Sequence, residues 1–274
     1  MGKIKVFLSD WQVLFREGIH FTLSGEEDFE VLGEATDNEE ALAFMQSNIP
    51  DIAILNINHI KVSGIEATHR LKHDLPAVGV ILIMDSENEE QLFLAVKSGA
   101  NACQTKDIDP DDLVTIITEV ARGGYPVCKA LLRPGIAAKV LEEFEVVASV
   151  GGAMGQLMAH HSPREVEILR HIASGGSTEQ VAAALGITEK EVYKQLEMIL
   201  SKLVANEHTR VVAETAQEEV PLALTGGALM AKLRGGPMPE YVTREEFNAF
   251  KENLRGTFKT LLGELSIQEE SRPE

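Results

Sequence analysis

Short apolar runs alternate with amphipathic stretches over the first 122 residues. IKVFLS, FEVLGEA, DIAILNI, GVILIM and the weaker ANACQT read as five strands, and helical spacing recurs over 14–23, 38–47, 63–73, 89–98 and 110–122. Asp37 ahead of Asn38-Glu39-Glu40 and Asp109 ahead of Pro110-Asp111-Asp112 mark helix starts, with a capping carboxylate and acids in the first turn. Strands apolar on both faces and separated by helices predict a parallel sheet covered on both sides. In such a sheet function gathers at the carboxyl ends of the strands. Those ends carry Asp10 and Trp11, Asn56, Met84 and Asp85, and Lys106.

The pattern then changes. Residues 123–161 are transitional: GGYP stops the last helix, 136–147 can form another, and SVGGAMGQLM reads as a flexible joint. Residues 162–217 are helical throughout, as SPREVEILRHIAS, STEQVAAALG, TEKEVYKQLEMILSKL and EHTRVVAETAQ. A short helix, a tight Gly-containing turn and a second helix make a helix-turn-helix. A second linker over 218–241 contains Gly226-Gly227 and Gly235-Gly236-Pro237, and 243–266 reads as one amphipathic helix.

Composition narrows the class. With 44% hydrophobic and 25% charged residues the chain is of ordinary folded type. No stretch approaches the ~18 consecutive apolar residues of a membrane span, and the opening residues are too short and polar for a signal peptide. Cys103 and Cys128 cannot build a disulfide framework or a four-ligand zinc site, so a cytoplasmic protein is expected. The net charge of −18 is uneven: 22 acidic and 9 basic residues fall in 1–122, whereas 160–210 is −1. No basic stripe of the kind that grips nucleic acid strongly is present.

VLFREGI, EATDNEEAL, PDIAIL, GIEATHRL, AVKSGANACQTKDIDPDDLVTIITEVARGG and SPREVEILRHIASGGSTEQVAAALGITEKEVYKQLEMILSKL follow one another from Ile4 to about Val212. In these stretches the chain resembles a NarL/FixJ-type response regulator. The resemblance implies an α/β, flavodoxin-like (βα)5 receiver domain over 1–122, then a helical linker over 123–161. An all-α LuxR-type helix-turn-helix domain that binds DNA follows over 162–217. The linker at 218–241 and a C-terminal amphipathic helix in 242–274 complete the chain. Aspartyl phosphorylation of the receiver would gate DNA binding.

The chemical positions depart from that pattern. Phosphotransfer needs a carboxylate nucleophile and a divalent metal held by further carboxylates. By the resemblance, the nucleophile position is Asn56, the acidic pair is Asp10 and Trp11, the phosphate-sensing hydroxyl is Met84 and the aromatic switch is Cys103. Only Asp10 and Lys106 match. Asp10 against Lys106 sums to zero charge, which predicts a salt bridge beside Asn56 and no metal site. Asp85 reads as a solvated loop residue in DSENEE. The expectation is a pseudo-receiver, with Trp11 and Met84 plugging the vacated mouth rather than walling a small-molecule pocket.

In the helix-turn-helix, Thr188 and Glu191 have the spacing of a capping box, and Val192, Leu196, Ile199, Leu200 and Leu203 fall on one apolar face. Lys190, Tyr193, Lys194 and Glu197 then face outward toward double-stranded DNA, with Lys202, Thr209 and Arg210 available for phosphates. Tyr193 stands where the family has lysine, and Glu197 opposes the phosphate field. The alternatives are a protein-binding adaptor without DNA, or a small-molecule sensor using the receiver mouth. Phe247, Phe250, Leu254, Phe258, Leu261 and Leu265 share one face of the tail and predict a homo-oligomer, at least a dimer, over docking on the chain's own domains. Gly256 weakens that helix by about 1 kcal/mol. His160 and His161 near Glu165 read as solvated linker histidines, and both cysteines as apolar packing. No cofactor, metal, membrane partner or enzymatic activity is expected.

Overall fold

The computed structural model describes residues 2–59, 61–149 and 158–218. The joint at 150–157, the linker at 219–241 and the tail carrying Phe247, Phe250, Leu254, Phe258, Leu261 and Leu265 lie outside the described residues. Five strands, β1 (Ile4–Ser9), β2 (Phe29–Ala35), β3 (Ile52–Asn56), β4 (Gly79–Met84) and β5 (Ala102–Thr105), pair in parallel in the order β2-β1-β3-β4-β5. Helices α1 (Val13–Ser24), α2 (Asn38–Ser47), α3 (Gly64–Asp74), α4 (Glu89–Ser98) and α5 (Pro110–Ala121) follow the strands in turn. The order is flavodoxin-like, and its topological switch lies between β1 and β3. The carboxyl ends of these two strands lead to Asp10 and end on Asn56.

Strand parity builds the two cores. In β3, Ala53 and Leu55 pack with Ala41 and Met45 of α2 and Ala67 and Leu71 of α3. Ile52 and Ile54 face Ile19 and Leu23 of α1 and Leu113, Ile117 and Val120 of α5. Every residue of β3 and β4 is buried, as helices on both faces require. Asp37 and Asp109 accept from Glu40 N at 2.8 Å and Asp111 N at 2.9 Å, capping α2 and α5. Gly64 opens α3 hard against the end of β3: a Cβ there would stand 2.7 Å from the Asn56 carbonyl oxygen.

Beyond α5 come a 3-10 helix (Pro126–Leu132), α6 (Pro134–Ser149), α7 (Pro163–Ala173), α8 (Thr178–Leu185) and α9 (Glu189–Glu218). Residues expected as a transitional linker pack: Val127, Leu131, Ile136, Val140 and Phe144 join Leu92, Phe93 and Val96 of α4 to Ile168, Leu169, Val181, Val192 and Leu196 in a third apolar cluster. Ser162 with Glu165 and Ser177 with Gln180 form capping boxes. Gly186, at φ +64°, makes the left-handed turn between α8 and α9. Thr188 and Glu191 exchange reciprocal bonds at the start of α9.

The stretches TEKEVYKQLEMILSKL and EHTRVVAETAQ belong to one helix, α9, which runs unbroken for 30 residues. The stretch 204–208 contains neither Gly nor Pro to interrupt it. Asn206, within it, turns its amide outward to hold residue 159, accepting from Ala159 N at 2.7 Å and donating to Ala159 O at 3.1 Å. No described helix is long and apolar enough to cross a membrane.

Candidate functional site

Asp10, Asn56 and Lys106 meet at the carboxyl end of the sheet. Asp10 is 5% and Asn56 1% exposed. Asn56 Nδ2 donates to Asp10 Oδ2 at 2.7 Å, and Asn56 Oδ1 accepts from Asn58 N at 2.7 Å. The other Asp10 oxygen accepts Gln12 N at 2.7 Å, and Lys106 Nζ lies 3.1 Å from Asp10 Oδ2. The polar atoms of the buried amide are thus satisfied, as burial demands.

Asp85 departs from its expected role as a solvated loop residue. Its side chain is 40% exposed, but Lys106 Nζ lies 2.6 Å from its Oδ1 and Asn58 Nδ2 donates to its Oδ2 at 3.0 Å. Burial works to raise the Asp85 carboxyl, and hydrogen bonds from Lys106 and Asn58 outweigh it, holding it below the ordinary range. Lys106 is shared by two carboxylates, so the cluster carries −1. Gln91 Nε2 extends the chain of bonds to Asn58 Oδ1 at 2.6 Å. Asn38 fixes it from behind, accepting from Ser9 Oγ at 2.9 Å and donating to Asn56 O at 3.0 Å and Val62 O at 2.9 Å. Asn38, Asn58 and Gln91 join the site through bonds that no sequence pattern signals. Asn38 registered only as a helix-start residue, and loop amides carry no periodic signal.

The receiver mouth also differs from expectation. Met84 is 3% exposed and belongs to the core under α2 and α3, so it neither plugs nor walls a mouth. Strand parity puts it on the same face as Val80 and Leu82. Trp11 is 52% exposed, and Lys106 Nζ stands 5.5 Å from its ring and 5.3 Å from that of Phe15. Cys103 packs between two cores, and burial pushes its thiol up to about 12.

These residues do not suit the divalent metal that receivers use. The Asp10 oxygens already accept from Gln12, Asn56 and Lys106, and Asn56 turns an amide N–H toward Asp10 where a further carboxylate would be needed. Among the described residues no group of three His, Cys, Asp or Glu side chains is placed to hold a metal.

On α9, Lys190, Tyr193, Lys194 and Glu197 are exposed, while Val192, Leu196, Ile199, Leu200 and Leu203 are buried. Lys202 is not free for phosphates. Its Nζ lies 2.9 and 2.7 Å from the two oxygens of Glu165, a fully buried carboxylate that needs a cation. Arg210 bonds Glu207 at 2.7 Å, and Thr209 Oγ1 donates to Ala205 O at 2.9 Å. His161 is buried rather than solvated, stacked on Phe144, and burial holds it down to about 4 against the pull of Glu165.

Comparison with known proteins agrees with both halves. Residues 6–118 match the response regulator receiver domain, and residues 160–214 match the bacterial regulatory proteins of the luxR family. The transcriptional regulatory protein DegU of Brevibacillus brevis is 30% identical over 225 residues, covering 78% of this chain and 93% of that protein. The transcriptional regulatory protein YxjL of Bacillus subtilis (strain 168) is 30% identical over 210 residues, with 77% and 94% covered. A solved signal receiver domain of NarL from Mycobacterium tuberculosis is 27% identical at a TM-score of 0.44, covering 45% of this chain and 99% of its own.

Proposed function

Since the chain belongs to the NarL/FixJ family of response regulators, with a receiver and a LuxR-type helix-turn-helix, we propose that it is a cytoplasmic transcription regulator whose receiver works without phosphorylation. The helix-turn-helix binds double-stranded DNA, with Lys190, Tyr193, Lys194 and Glu197 toward the groove. The receiver is an interaction platform and no enzyme, and the tail helix in 242–274 makes the protein at least a dimer.

One observation carries the reading: Asn56 donates a hydrogen bond to buried Asp10 at 2.7 Å. A carboxamide has no anionic oxygen with which to attack phosphorus. A carboxylate in its place would face Asp10 as a like charge, so the site is built around the amide. The bonds from Gln91 through Asn58, Asp85 and Lys106 to Asp10 tie the loops after β1, β3, β4 and β5 together, which favours a single resting arrangement.

Incubation with acetyl phosphate and Mg²⁺ is expected to leave the intact mass unchanged; an adduct mapped to the receiver overturns the reading. Selection of bound sequences from random DNA at low and moderate salt is expected to enrich a motif. Lys190→Ala and Lys194→Ala should each reduce the salt slope of binding by roughly one unit. Glu197 on the exposed face favours a second reading, a protein-binding adaptor, and no enriched motif would select it.

A further inference from the structure

The middle of α9 lies along the receiver. Lys97 Nζ of α4 is 3.1 Å from Glu207 Oε2 of α9 and 2.5 Å from Glu143 Oε1 of α6. A Cβ at Gly99 would stand 3.2 Å from Val204 Cγ1. The rings of His73 on α3 and His208 on α9 stack with centroids 5.9 Å apart and planes 20° apart. His73 also meets Asp74 at 2.7 Å. Next to this pair, one turn back on α3, is His69. Its Nε2 is buried and has no hydrogen-bond partner among the described residues.

The charges around His69 are already balanced. Glu207, Arg210 and His208 of α9 and Lys97 of α4 lie within electrostatic reach of it, and Glu143 joins the set through Lys97. Lys97, Glu143, Glu207 and Arg210 sum to zero. A proton added to His69 is therefore a buried charge beside Lys97 and Arg210, and Glu207 is already shared between those two cations.

We propose that this contact between α9 and the receiver is a proton-operated latch, closed while His69 is neutral and opened by its protonation, which frees the DNA-binding helix from α3 and α4. Burial holds His69 below its ordinary value of 6.5, with Glu207 opposing. The closed form thus binds fewer protons than the open one. Closure is favoured above about pH 6.5 and weakens as the pH falls below it. The latch acts without a phosphoryl group and stands independently of the reading of Asn56.

Amide hydrogen exchange on the full chain, corrected for the intrinsic pH dependence, tests it. Between pH 7.5 and 5.5, protection of peptides covering 64–74 and 199–211 is expected to fall up to about ten-fold. That is the ratio of protonated to neutral imidazole one pH unit below its ordinary value. Peptides from β3 and β4 should be unchanged. In His69→Leu, or in His69→Gln should the leucine variant not fold, the loss should shrink below about two-fold. NMR titration of the native histidines provides a second reading, in which His69 should take up its proton as protection falls. The proposal is overturned by equal loss in the variants, by no loss in the native chain, by loss spread across the sheet, or by a His69 that stays neutral while protection falls.

Discussion

Substituting Asn56→Asp probes the centre of the site. In the native chain Asn56 Nδ2 donates to Asp10 Oδ2 at 2.7 Å. In the variant that donor becomes a carboxylate oxygen. Two unit charges about 4 Å apart repel by about 4 kcal/mol at an effective dielectric of about 20. Lys106, 3.1 Å from Asp10, offsets part of this, but Asp85 already draws on the same ammonium at 2.6 Å. A net loss of about 2–3 kcal/mol near pH 7.5 follows, or a fall of about 4–12 °C in the melting midpoint of a domain of this size. The two carboxyls then compete for one proton, so the pair has one raised pKa and the loss shrinks as the pH falls through it. Mg²⁺ should relieve it too: at a Kd of about 1 mM, about 10 mM Mg²⁺ restores about 1.4 kcal/mol. Thermal melts of both proteins at pH 7.5 and 5.0, with and without Mg²⁺, measure all of this. A native midpoint that rises with Mg²⁺, or a variant that melts like the native chain at pH 7.5, would refute the reasoning.

Two further substitutions test the supports of each half. Asn38→Ala leaves Ser9 Oγ and the carbonyls of Asn56 and Val62 without their amide partner, and should destabilise the receiver by about 2–4 kcal/mol in chemical denaturation. A loss under about 1 kcal/mol would mean that the amide does not hold the β1 and β3 ends. Lys202→Met strands the buried Glu165 carboxylate and should cost about 3 kcal/mol near neutral pH. In the native chain burial raises the Glu165 carboxyl, but bonds from Lys202 and Ser162 outweigh it and keep it low, so its stabilisation is lost only on acidification. In Lys202→Met the carboxyl rises instead, so the deficit should narrow as Glu165 takes a proton. A deficit constant from pH 7.5 to 4.5 argues against the ion pair.

The sheet was legible because its pattern is forced. Strands buried on both faces, such as IAILN and GVILIM, have no other home than a covered parallel sheet, and that arrangement brings Asp10, Asn56 and Lys106 to one end. What escaped the sequence depended on which side chain a loop presents. Asp85 sits in a run of polar residues that looks solvated, and only the approach of Lys106 from the next strand reveals it as a partner. Met84 was placed at the mouth by position in the chain, whereas strand parity turns it inward. In α9, Asn206 is of a residue type that can turn on its own backbone, and its amide is instead spent on Ala159, a partner 47 residues away that no local pattern reveals. His161 stands in a linker by sequence, and only Phe144, far away in the chain, offers it a buried face.

Because α9 crosses from Lys190 to Glu207 without a hinge, its two ends cannot move separately. Those residues are about 25 Å apart along the axis at 1.5 Å per residue. A tilt of about 10° where Glu207 meets the receiver therefore carries Lys190 and its neighbours sideways by about 4 Å, more than one hydrogen-bond length. In such a rigid rod, loosening the grip at one end is itself a change of aim at the other.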